Sequence, residues 1–233
     1  MSAFAPAFQG LDEETVEQVL GWVQTVLEYA GTIAFAISGA VVAGRKHMDV
    51  VGVVALGVIV AIGGGTIRDL LLQQPVSWIE SPAFVVVGAL AALVTIPLTK
   101  TGTVAKLRQY NLVQTFDAAG MAIFVVTGTT VALAADASPF AAALVGVIAG
   151  VGGGIIRDVL AMQIPSVLAD GQFYASAALA GSLLYILLLE LPISPLVTVW
   201  IPVIAIFTIR MLAMRYGWGV PKFKVSADEA GET

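Results

Sequence analysis

Residues Ile62-Gly63-Gly64-Gly65-Thr66-Ile67-Arg68-Asp69-Leu70-Leu71 return as Val151-Gly152-Gly153-Gly154-Ile155-Ile156-Arg157-Asp158-Val159-Leu160, 89 positions later. Each copy lies inside a long apolar segment. Glycine costs about 1 kcal/mol against alanine in a helix interior, so three in a row weaken one turn badly. An ionisable side chain at membrane depth costs roughly 2.5–3.5 kcal/mol even on the gentler insertion scale. Carrying both penalties twice, in register, marks the two stretches as the working centre of a membrane protein.

Working outward, composition fixes the solvent. Of 233 residues, 58% are hydrophobic and 12% charged, and mean hydropathy is +0.94. A soluble domain carries about 25% charged residues, so this chain cannot cover a water-facing surface. The absence of cysteine excludes disulfides and thiolate metal sites. The one histidine, His47, reads as a solvated loop residue. The net charge of −5 comes mainly from acidic ends, Asp12, Glu13, Glu14 and Glu17 at one and Asp228, Glu229 and Glu232 at the other. No basic stripe exists, which excludes nucleic acid as a partner. The acidic first 20 residues predict no cleaved leader.

Apolar runs long enough to cross about 30 Å of hydrocarbon predict seven helical spans, at 24–44, 50–72, 82–99, 113–134, 139–161, 172–190 and 195–213. The polar–apolar alternation of a barrel is absent. With the N-terminus outside, ten of the eleven Lys and Arg face the cytoplasm, and the exception is Arg68. That orientation puts the C-terminus inside, with Trp22, Trp78 and Trp200 as interfacial anchors at the outer ends.

The 89-residue offset extends past the glycines. It aligns Glu28 with Asp117, Phe35 with Phe124, Ser38 with Thr127, and Gly57-Val58-Ile59 with Gly146-Val147-Ile148. The fold class expected is an all-α membrane protein in one transmembrane domain: two three-helix repeats, 27–99 and 116–190, and a seventh helix at 195–213. An odd number of spans per repeat inverts the second copy relative to the first. This is the plan of many transport proteins, whose sites lie where discontinuous helices meet.

Three expectations follow for the site. The first concerns Gly63, Gly64, Gly65, Gly152, Gly153 and Gly154. Breaking the helices there bares carbonyls that replace part of a cation's water shell; the alternative is that the glycines permit close helix crossing. The second concerns the charges. Adjacent helical residues point about 100° apart, so the pairs expected are Arg68 with Asp158 and Arg157 with Asp69, against the alternatives of arginines snorkelling to water or phosphate and of a direct role with the permeant ion. The third is that Glu28 and Asp117 form acidic vestibules or dipole-stabilised first-turn carboxylates. Ser38 and Thr127 would then offer hydroxyl oxygens to an ion, or bond a carbonyl on their own helix.

The doubled Gly-Gly-Gly-x-x-Arg-Asp motif, one per repeat and followed by a seventh helix, resembles the trimeric intracellular cation (TRIC) channel family. Its prokaryotic branch, also labelled as paired glycine-transporter-type domains, is the nearer match. The resemblance spans residues 25–212. It implies a homotrimer in a bacterial inner membrane, with an hourglass pore for K⁺ and Na⁺ in each subunit and no cofactor beyond the permeant ion. It also implies that both glycine runs kink their helices beside the pore. Unlike animal members, this chain has no lysine in 113–134, so their lysine-based gating does not transfer. The rival reading is a secondary transporter of a small zwitterion such as glycine. No nucleophile–base pair suggests an enzyme.

Overall fold

A computed structural model describes residues 13–100, 111–169 and 173–219. Lys106, Arg108, Lys222 and Lys224, used above for orientation, lie outside these, as do Asp12, Asp228, Glu229 and Glu232.

Nine helices make up the described residues: α1 Glu13–Arg45, α2 Val50–Leu71, α3 Ser77–Glu80, α4 Ala83–Lys100, α5 Leu112–Ala134, α6 Pro139–Leu160, α7 Ser166–Ala169, α8 Ala175–Leu189 and α9 Pro195–Tyr216. Five contain stretches long and apolar enough to cross a membrane, namely Gly21–Arg45 of α1, α2, α5, α6 and α9. The apolar parts of α4 and α8, Ala83–Leu98 and Ala175–Leu189, are shorter. The chain is an all-helical membrane protein. Leu90, Val94, Leu187 and Ile204 stand exposed on its sides, as apolar residues do where the neighbour is lipid rather than water.

Local chemistry sets the helix ends. Asp49 caps α2 by accepting from Gly52 N at 2.7 Å, and Ser138 caps α6, where Pro139 supplies the first-turn φ. Gly217, at φ 65°, closes α9 in the left-handed conformation. Positive φ recurs at the 89-residue offset, at His47 and Asp136 and again at Gln73 and Met162. The two halves therefore turn their connections alike. The one-turn helices α3 and α7, which no apolar run announces, follow the second of these turns.

α1 and α2 form a hairpin through residues 46–49, and α5 and α6 form another through 135–138. α1 packs against α5 and α2 against α6, so the hairpins interlock, while α9 covers α5 and α8. At the centre the Phe35 and Phe124 rings stack 5.5 Å apart. Each ring lies over a glycine of the other half. A Cβ on Gly120 would fall 2.8 Å from the Phe35 ring, and one on Gly31 would fall 2.8 Å from the Phe124 ring.

The glycine runs do not break their helices. α2 and α6 continue unbroken through Gly63–Gly65 and Gly152–Gly154, which corrects the expectation of bared carbonyls. The two helices cross there in close contact. A Cβ on Gly64 would overlap the Ala149 carbonyl oxygen, and one on Gly153 would stand 2.8 Å from the Val60 oxygen. Likewise a Cβ on Gly63 would meet the Ile156 side chain at 2.5 Å, and one on Gly152 would meet Ile67 at 3.2 Å. Exchanging partners at the 89-residue offset turns each contact of a pair into the other, and Arg45 and Lys46, which lead into α2, share one cavity with Arg157 and Asp158 at the end of α6, so α2 and α6 run antiparallel through one crossing. The intrinsic helix cost of glycine is offset by backbone approach that no side chain permits.

Candidate functional site: two arginine–carboxylate clusters and their cavities

Because α2 and α6 are antiparallel, their Arg-Asp pairs lie at opposite ends of the molecule. At the end where α2 finishes, Arg68 Nε donates to Asp69 Oδ1 at 2.7 Å and Nη1 donates to Glu28 Oε1 at 2.6 Å. Nη2 reaches Ser77 Oγ at 3.0 Å. The second oxygen of Asp69 accepts from Ser77 N at 2.9 Å and Oγ at 2.7 Å, which seats the carboxylate on the first turn of α3.

The other end repeats this arrangement in its ion pairs and its serine-held carboxylate, with Arg157 Nη2 on Asp158 Oδ1 at 2.8 Å rather than on a serine, and adds to it. Arg157 Nε donates to Asp158 Oδ1 at 2.8 Å and Nη1 donates to Asp117 Oδ1 at 2.7 Å. Asp158 Oδ2 accepts from Ser166 N at 2.8 Å and Oγ at 2.9 Å. The contacts of Ser38, Tyr174 and Arg210 have no counterpart at the first end. Arg157 Nη1 also donates to Ser38 Oγ at 2.7 Å, crossing from α6 to α1. Tyr174 OH donates to Asp117 Oδ2 at 2.6 Å, and its ring carries the Arg210 guanidinium 4.2 Å above the centroid. Arg210 Nη1 also donates to the Phe173 carbonyl at 3.1 Å. Gly154 makes room for this, since a Cβ there would stand 2.7 Å from Tyr174 OH.

The crossed pairs expected from the sequence are therefore absent; each arginine pairs with its own neighbour. Two physical reasons account for this. An antiparallel crossing centred on the glycines separates Arg68 from Asp158 by more than about 10 Å, at 1.5 Å of rise per residue. The 100° between neighbouring Cβ vectors is spanned by the long arginine stem, once Ser77 or Ser166 has fixed the carboxylate. Snorkelling is also excluded, because Arg68 and Arg157 are buried in protein.

Glu28 and Asp117 are buried ion-pair partners rather than solvated vestibule groups. Neither lies in a first helical turn, since α1 begins at Glu13 and α5 at Leu112. Ser38, besides accepting from Arg157, donates to the Val113 carbonyl at 3.1 Å. Thr127, its counterpart in α5, is buried and its hydroxyl has no hydrogen-bond partner.

Each cluster borders a cavity. At the Glu28 end a small cavity of about 20 Å³ is lined by Glu28, Thr32, Gly65, Arg68, Asp69 and Trp78. Trp78 is half-buried, with Nε1 donating to Thr66 Oγ1 at 3.0 Å. At the opposite end a cavity of about 170 Å³ is lined by Arg45, Lys46, Gln114, Arg157, Asp158 and Ser166. Of the glycine-run residues, Gly65 alone lines either cavity. Ser38 and Thr127 line neither.

Four site residues escaped sequence reasoning. Ser77 and Ser166 were within reach, because they stand at the same 89-residue offset, eight residues after Asp69 and Asp158. Tyr174 was not, since the offset sets it against Val85. Arg210 was counted as a cytoplasmic end charge, but it is 2% exposed.

Known proteins resemble this chain in sequence and in fold. A family described as glycine transporter matches residues 25–100 and again 114–190, one match per half. The inner membrane protein YadS of Escherichia coli K12, labelled UPF0126, is 40% identical over 207 residues, covering 88% of this chain and 97% of YadS. The solved structure of the Rhodobacter sphaeroides orthologue of the TRIC trimeric intracellular cation channel matches with TM-score 0.78 and 34% identity, over 84% of this chain and 99% of that one. A crystal structure of a prokaryotic TRIC channel in 0.5 M KCl gives TM-score 0.77 and 29% identity, over 85% and 99%. These are channels and membrane proteins rather than enzymes, and the chain belongs with them, in the prokaryotic branch of the TRIC family whose repeat is described as glycine transporter.

Proposed function

We propose that the protein is a cation channel of the bacterial inner membrane that passes K⁺ and Na⁺, assembled as a homotrimer with a pathway through each subunit. In this reading α4 and α8 also span, giving seven spans in two inverted three-helix repeats plus α9. The N-terminus is outside and the C-terminus cytoplasmic. The pathway runs from one cavity to the other, past the packed Phe35 and Phe124 rings, and needs no cofactor beyond the permeant ion.

The observation that carries this reading is the surplus of carboxylate at both arginines. Glu28 and Asp69 share Arg68, and Asp117 and Asp158 share Arg157. At the Arg157 cluster the nearby Arg45, Lys46 and Arg210 offset this surplus, whereas at the Glu28 cluster two carboxylates to one guanidinium leave a formal negative charge beside the cavity. That arrangement attracts a cation while the arginine keeps the attraction weak enough for release, as conduction requires. The likeness to cation channels adds support. The transporter reading relied on half-helix ends to hold a carboxylate and an ammonium, and the continuity of α2 and α6 removes those ends.

Proteoliposomes loaded with K⁺ test the choice. The proposal predicts K⁺ efflux that rises without saturation and ignores added glycine. Saturable glycine uptake without K⁺ efflux would overturn it in favour of the transporter.

A further inference from the structure

The two ends of the molecule differ in charge. Among the described side chains, Glu28, Asp69, Glu80, Asp136 and Glu190 lie at the end where Arg68 is the basic residue. At the other end, Arg45, Lys46, Arg157, Arg210 and Arg215 outnumber Asp49, Asp117 and Asp158. The cavities sharpen the contrast. The Glu28 cavity holds two carboxylates and one guanidinium, whereas the other holds three cationic groups, Arg45, Lys46 and Arg157, against Asp158. Arg157 and Asp158 are bonded to one another and locked into their cluster. Arg45 and Lys46 are exposed at the rim, so their charge acts on whatever enters.

We propose that Arg45 and Lys46 make the channel rectify, by depleting cations at their mouth while the Glu28 mouth concentrates them. The inference rests on the channel reading above and adds a direction to it. A low-dielectric cleft lined by one sign of charge focuses its field and sets the local counter-ion concentration. Cations entering from the Glu28 mouth start from an enriched pool, and those entering from the Arg45 mouth from a depleted one. Segregation of basic residues to the cytoplasmic side explains why Arg45 and Lys46 lie at one end. It does not remove their field from the cavity they line. In about 0.1 M salt two unit charges within about one Debye length of the entrance lower the local cation concentration roughly two-fold, and in about 1 M salt that effect is almost screened out.

The chain has no cysteine, so Lys46→Cys gives a single modifiable site at the rim. Single channels of this variant, in symmetric 0.1 M KCl, are treated from one chamber with a positively or a negatively charged methanethiosulfonate reagent. The chamber from which the reagent acts identifies the Arg45 end. In the unsubstituted protein, current carried by cations entering from that end should be about half the opposite current. The negative reagent should raise that limb about two-fold over the positive one, and the difference should shrink towards unity in about 1 M KCl. Symmetric currents that neither reagent alters would overturn the inference and leave the channel reading standing. A change of equal size on both limbs would also overturn it, since it indicates a block rather than a local field. Absence of any current from the unsubstituted protein would overturn both.

Discussion

Arg157 Nη1 stands 2.7 Å from Ser38 Oγ, joining α6 of the second half to α1 of the first. The equivalent bond, Arg68 to Thr127, is not made: Arg68 spends its donors on Asp69, Glu28 and Ser77, and the Thr127 hydroxyl is buried without a partner. The two halves thus share one design with one of its two cross-links left open.

That asymmetry predicts opposite outcomes for two similar substitutions. Ser38→Ala removes an acceptor from a buried guanidinium and should destabilise the protein by about 1.5–3 kcal/mol. Thr127→Val replaces an unpaired buried hydroxyl with a methyl of the same shape and should be neutral or mildly stabilising. Thermal unfolding in detergent checks both. Equal losses would show that Thr127 is engaged after all.

The glycine runs should prove unequal position by position. Gly64→Ala drives a Cβ into the Ala149 backbone, and overpacking of this kind costs about 1–3 kcal/mol or more. At Gly65 the nearest atom to an added Cβ is on the Phe124 ring, at an ordinary 3.8 Å. Gly65→Ala should therefore gain up to about 1 kcal/mol of helix propensity. Unfolding midpoints of the two variants decide this, and a reversed order would mean that the crossing is misplaced.

Double-mutant cycles should find coupling within each end and none across the membrane. Removing one partner of a buried pair costs about 3–5 kcal/mol, because a charge is left uncompensated. Arg68→Ala with Glu28→Ala should thus cost much less than the sum of the single losses, and so should Arg157→Ala with Asp117→Ala. Arg68→Ala with Asp158→Ala should instead be additive. Strong coupling between Arg68 and Asp158 would contradict the antiparallel placement of α2 and α6.

Helices, membrane setting and doubling were all legible in the sequence, because each writes a periodic or compositional signal. The five long apolar helices follow from apolar length, and the equivalence of Glu28 with Asp117 follows from the offset. The pairing of charges was not legible. Whether Arg68 meets Asp69 or Asp158 depends on how far the helices slide at their crossing and on where Ser77 holds a carboxylate, and neither is a property of α2 alone. The continuity of α2 and α6 was hidden for the same reason. Glycine propensity argues for a break, and only the partner helix supplies the contacts that offset it. Tyr174 belongs to the part of the second half that departs from the first, and Arg210 to α9, which lies outside both halves, so the repeat offers no guide to either.

The central claim, that these clusters flank a cation pathway, is tested most directly by single-channel recording of the purified protein in a planar bilayer under asymmetric KCl. The account predicts discrete openings with a reversal potential near the K⁺ equilibrium potential, and a smaller conductance when Glu28→Gln removes the carboxylate surplus at one cavity. Silence in folded, reconstituted protein, or a reversal potential near that of Cl⁻, would contradict it.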